Sequence, residues 1–220
     1  MTAAMSHDLI ETLPLPQRLA LSYAPAAARP ATLALLALDT RLAGVALGGG
    51  EPMLTQIKLA WWRDRLREPC DKWPKGEPLL AALRDSMGDC AGLVALVDGW
   101  EALLAEEPGE EAWHEFAAGR VALWDTLARR LGADGQGVAA PARIWALADL
   151  ALAIPPGDER ASIVSAAMKH PARTRRLPRA LRPLAVLDAL ARRALAGERE
   201  GLLDGPGAML LAMRVGISGV

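Results

Sequence analysis

An all-α fold is predicted by three features of the chain. Ala, Leu and Val dominate an amino-acid content that is 52% hydrophobic, and Ala and Leu at that density favour helix. Proline and glycine cut the chain into segments of helix length, as at Gly48–Gly50, Pro69–Gly76 and Pro155–Gly157. No alternating, β-branched run bounded by turns reads as a strand, and no fixed-period repeat is visible. With 220 residues the chain can bury one sizeable core, so a single domain over residues 16–220 is expected. Tyr and Phe occur once each, which leaves seven Trp as the bulky pieces of that core.

Taken in order, residues 1–15 read as a mobile start closed by Pro14 and Pro16. A short helix is expected over 17–23, stopped by the restriction that Pro25 places on Ala24. Pro30 suits the first turn of the next helix, with Leu33, Leu36, Ala37, Leu38, Leu42 and Val45 as packing residues. After the triple glycine, Glu51 and Pro52 open EPMLTQIKLAWWRDRL, a helix over 52–66. At about 100° per residue its apolar side chains form two arcs, Met53, Leu54, Ile57, Ala60 and Trp61 against Leu59, Trp62 and Leu66. Two apolar stripes predict a central helix with neighbours on both sides and Trp61 and Trp62 both buried. Further helices are expected over 79–87, 91–106, 110–131, 141–154, 158–169, 178–195 and 206–217.

Charge and cysteine content narrow the function. A formal net charge of −1 gives no global reason to bind nucleic acid. Cys70 and Cys90 form neither a CxxC nor a disulfide framework, which suits a reducing cytosol. The N-terminal residues lack the basic start and continuous apolar run of a signal peptide, so no export is expected. Asp39 and Arg41 interrupt the longest apolar stretch, 31–47, and argue against a membrane span. His114 beside Glu115 has no second ligand four residues on, so zinc chemistry of the HExxH type is absent. Gly48–Gly50 lacks the preceding strand of a phosphate-binding loop.

The segments LALLALDTRLAGV, EPMLTQIKLAWWRDRL and EPLLAALRD resemble the squalene/phytoene synthase family, in particular its divergent branch, which includes a mitochondrial complex I assembly factor. Fainter echoes follow in order in DGWEALL, AAGRVALWDTLARRLG, ARIWALADLAL and LPRALRPLAVLDALARRAL, so the likeness runs over about residues 18 to 216. It implies an isoprenoid (terpenoid) synthase-like helical bundle, shortened, around a central cavity. It also implies two Asp-rich motifs on facing helices that hold magnesium for head-to-head condensation of prenyl diphosphates. Here the first should fall near Ala43, Gly44 and Leu47, where the helix offers Asp39 alone; the second should fall in 141–154, which offers Asp149 alone. Asp85 and Asp89 make a DxxxD, but after the Trp-Trp helix, and they read as a solvated helix end.

The resemblance therefore implies a catalytically degenerate protein with no cofactor, kept as a scaffold, assembly factor or lipid- or isoprenoid-binding protein. A cytoplasmic chain peripheral to the inner membrane, with a protein partner in membrane-complex assembly, fits that branch. The rival is an active prenyl transferase whose magnesium is held by non-standard ligands; a small-molecule carrier is a third reading. Two residue sets are candidates. Asp39, Arg41, Lys58, Trp62, Arg63 and Arg120 could line a residual cavity and hold an anionic head group, or form ordinary ion pairs. Lys169, Arg173, Arg175, Arg176 and Arg179 concentrate positive charge where it could meet an acidic lipid surface, or stay a solvated loop.

Overall fold

The computed structural model describes residues 3–170 and 176–219, with side chains from residue 6 onward. Among these residues the chain is all-α. Its helices are α1 (Ala3–Thr12), α2 (Leu15–Ser22), α3 (Arg29–Ala46), α4 (Pro52–Arg67), α5 (Pro78–Ser86), α6 (Val94–Ala102), α7 (Glu110–Arg130), α8 (Ala139–Ala153), α9 (Asp158–Met168), α10 (Arg182–Ala196) and α11 (Gly207–Ser218). Proline sits in the first turn of α2, α3, α4, α5 and α10, where its missing N–H has no partner to lose. The longest helix, α7, matches its dipole at both ends, with Glu110 and Glu111 in the first turn and Arg129 and Arg130 in the last. It stops at Gly132, whose φ of +59° a side chain would strain.

The central helix is α3, not α4. Residues 31 to 39 of α3 are buried without a break, because α1, α5, α4, α6 and α7 pack around it. α4 rests on α3 and α6 and buries Thr55, Leu59, Trp62 and Leu66 there. Its second arc, Met53, Leu54, Ile57 and Trp61, faces outward, with Trp61 39% exposed and Trp62 4%. The expectation of two buried faces fails because a hydrophobic pattern shows that a face is apolar and says nothing of what covers it.

The start of the chain also differs from expectation. Residues 3–12 form α1, which packs on α3 and brings Leu9 and, just beyond the helix, Leu13 into the core. The loop after α4 is held in place, since Trp73 is buried and its Nε1 donates to the Arg65 carbonyl at 2.5 Å. Arg84 of α5 donates to the carbonyls of Cys70 and Trp73. Expected helices 91–106 and 178–195 are shorter, each opening on a tight 3-10 turn, Ala91–Leu93 and Arg179–Leu181. None of the helices among the described residues is long and apolar enough to cross a membrane.

Two glycines set the spacing that matters most for the interior. A Cβ at Gly99 of α6 would lie 2.9 Å from the Cα of Phe116, and one at Gly119 of α7 would lie 2.5 Å from the Ala95 carbonyl oxygen. α6 and α7 therefore approach backbone to backbone. The residue after each glycine, Trp100 and Arg120, is carried by that approach toward α3.

Candidate functional site

Asp39 lies on the buried side of α3 with 0% exposure, and it collects the two side chains that the α6–α7 contact delivers. Trp100 Nε1 donates to Asp39 Oδ1 at 2.9 Å, and Arg120 Nε donates to the same oxygen at 3.2 Å. Arg120 Nη2 stands 3.0 Å from Oδ2, in ion-pair range but without the direction of a hydrogen bond, so Oδ2 is held by charge alone. The other terminal nitrogen, Nη1, donates to Asp149 Oδ2 of α8 at 2.8 Å. Arg120 is 2% exposed. Its guanidinium carbon lies 4.2 Å from the Trp145 ring, 4.7 Å from Phe116 and 5.5 Å from Trp100. One cation thus joins α3 to α8 inside a cage of three aromatic rings.

The energetics of this triad are unequal. Burial pushes the Asp39 carboxyl above its ordinary range, and the pull of Arg120 and of the Trp100 bond does not fully offset it. Burial acts downward on Arg120, yet the charges of Asp39 and Asp149 outweigh it and hold the guanidinium above its ordinary value. Asp149 keeps 38% of its side chain exposed, so water stabilises it independently of Arg120. Asp39 has no such recourse. Nothing in the triad is open to a substrate through Asp39 or Arg120, and neither is placed to act as a nucleophile.

The six residues expected to line a cavity do not share one. Asp39 and Arg120 meet in the interior, but Arg41 points outward, 3.6 Å from Glu77. Lys58 is exposed on α4. Trp62 is buried edge-on against Trp61, with ring centroids 5.0 Å apart. Arg63 pairs with Asp98 at 2.7 Å and with Glu101 on α6. Of the basic set, Lys169 stands 3.8 Å from Glu110 at the edge of a shallow surface depression between α7 and α9. Arg176 and Arg179 are exposed, and Arg173 and Arg175 lie outside the described residues. His170 is held below its usual range by burial and then by Arg143, His114 and Arg192. Asp85 and Asp89 straddle the end of α5, where Gly88 turns the chain at φ +80° and Asp89 Oδ1 caps the Ala91 N–H at 3.0 Å.

Sequence reasoning placed Asp39 and Arg120 in one candidate set, named Asp149 apart from them, and missed Trp100 and Trp145. The available signal was the glycine directly before Trp100 and Arg120. Among the described residues no three His, Cys, Asp or Glu side chains are grouped so as to hold a metal ion. Compared with family models, with curated proteins and with solved structures, the chain matches none.

Proposed function

We propose that this chain is a squalene/phytoene synthase-like protein that has lost catalysis and serves as a scaffold, in the manner of an assembly factor for a membrane complex. One observation supports this above the others. The Arg120 guanidinium lies between Asp39 on α3 and Asp149 on α8, the two helices on which the resemblance places the acidic motifs. An arginine is a cation that cannot leave, and its pairs with both carboxylates occupy oxygens that magnesium would need. The Trp145, Phe116 and Trp100 rings pack around it, which also counts against a carrier that uses the centre of the bundle.

Calorimetry with farnesyl or geranylgeranyl diphosphate, in magnesium and again in chelator, tests the reading. The expected result is no metal-dependent binding and no release of pyrophosphate. Metal-dependent binding accompanied by pyrophosphate would overturn it and restore a prenyl transferase with unconventional ligands.

A further inference from the structure

The outer face of α11 is apolar and uncovered. Ala208, Ala212 and Val215 bury one side of the helix against α10 and α2, while Met209, Leu210, Met213 and Ile217 stand on the opposite side, each more than half exposed. The helix carries a single charge, Arg214, which lies beside Leu210 and Ile217 on the helical projection. Its backbone is seated firmly. The Tyr23 ring lies against Gly216, and Arg182 Nη1 donates to the Val215 carbonyl at 3.3 Å. That bond puts Arg182, at the start of α10, against the C-terminal end of the ridge, three residues after Arg179 in the chain.

Charge distribution decides what such a ridge fits. The three longest stretches without Asp or Glu are residues 12–38, 160–187 and 205–220. The fold brings them together around α11, through α2, the start of α10 and α11 itself. The other exposed apolar arc, on α4, is different, because Asp64 falls within it, Glu51 and Glu68 close its ends, and Lys58 and Arg67 flank it, so its charges are mixed. A second copy of the chain is a poor occupant for the α11 ridge. Four such side chains expose roughly 400 Å², and twice that area falls short of the about 1,000 Å² a stable interface needs. At twelve residues α11 is too short to span a bilayer, and a short helix with one apolar face and basic neighbours lies flat in the headgroup region.

We propose that α11 docks the protein on an anionic lipid surface, its Met209, Leu210, Met213 and Ile217 ridge entering the interface and Arg176, Arg179 and Arg214 meeting lipid phosphates. The proposal stands apart from the reading of the Asp39–Arg120–Asp149 centre and holds for a scaffold or an enzyme alike. The test is sedimentation of the full chain with vesicles of phosphatidylcholine containing one quarter phosphatidylglycerol, and with phosphatidylcholine alone. The wild type should sediment with the anionic vesicles and only weakly with the neutral ones. Leu210→Asp with Met213→Asp should lower partitioning at least about tenfold, as should Arg176→Glu with Arg179→Glu and Arg214→Glu, the arginine contribution fading as salt is raised. Ile57→Asp on the α4 arc should change nothing. Because the ridge residues are exposed, the variants should keep the wild-type melting temperature; if the aspartates disturb it, Met209→Gln with Met213→Gln serves instead. Absence of wild-type sedimentation, equal binding to neutral vesicles, or binding indifferent to the ridge variants would overturn the proposal. So would a dimer that the ridge variants dissociate.

Discussion

Replacing Arg120 by Met removes the one cation that contacts Asp39 among the described residues, while keeping an unbranched side chain among Trp145, Phe116 and Trp100. The two carboxylates then lose unequally. Asp149 is 38% exposed and can rehydrate, so its share is no more than about 1 kcal/mol. Asp39 has no exposed surface and keeps only the Trp100 hydrogen bond. Breaking a buried pair on one side strands the other charge, which costs about 3–5 kcal/mol. Urea unfolding at pH 7 should show a loss of that size, with the midpoint lowered and the slope unchanged.

The pH dependence carries the sharper test. Asp39 is already pushed up by burial in the wild type, and losing Arg120 raises it further above the unfolded value of about 3.9. The folded variant then holds a proton that the unfolded chain releases, so its stability is greatest below about pH 4 and falls as the pH rises, by about 1.4 kcal/mol per unit until the folded pKa is reached. The deficit of Arg120→Met against the wild type should therefore be smaller at pH 5 than at pH 7. Adding Asp39→Asn should remove that pH dependence and restore part of the lost stability. A deficit below about 1 kcal/mol at pH 7, or one identical at both pH values, would refute the argument that Asp39 depends on Arg120 for its charge.

Trp62→Ala should cost about 3–5 kcal/mol because its ring is buried, and Trp61→Ala, on the outward arc of α4, less than half as much; equal losses in a denaturant titration would show α4 to be covered on both sides. Gly119→Ala places a methyl group against the Ala95 carbonyl and should cost about 1–3 kcal/mol by forcing α6 off α7, visible as a lower melting temperature and unexpected if the helices can part freely. The Cys90 thiol is pushed up to about 12 by burial first, then by Asp89 and Cys70. The half-exposed Cys70 should thus react with a disulfide reagent in the native state and Cys90 only on unfolding; equal native rates would contradict this. Because the unfolded thiol titrates near about 8.5, Cys90 also lowers stability as pH rises above that value, a slope that Cys90→Ala should reduce.

How much of this was legible depends on whether the information is local. Helix ends carried by proline and glycine could be read closely, so that α4, α7 and α9 fall within a residue or two of expectation. α1 was missed because two prolines follow it and its buried contacts, Leu9 and Leu13, are only one turn apart. The candidate site divides along the same line. That Asp39 and Arg120 belong to the interior could be suspected from their apolar surroundings, but they are 81 residues apart. Their pairing depends on how α6 and α7 cross α3, which no local pattern encodes. The arcs of α4 show the converse limit, since equally apolar faces end on opposite sides of the protein surface.

A buried triad of this kind needs a reason beyond stability, because apolar residues of similar volume would often hold the same helices at least as well. Register supplies one. A helix whose buried run is Ala, Thr and Leu, as residues 31 to 38 of α3 are, meets nearly the same chemistry after sliding by one turn. Asp39 removes that freedom. A slide of one turn, about 5.4 Å, would take its carboxylate out of reach of both Trp100 Nε1 and the Arg120 guanidinium and leave it charged in an apolar interior. One carboxylate therefore fixes α3 against α6 and α7, and the second arm of Arg120 extends the same constraint to α8 through Asp149. The Asp39–Arg120–Asp149 centre of the bundle is thus a fastening and not a pocket. Sequence changes on the outer surface leave that register untouched.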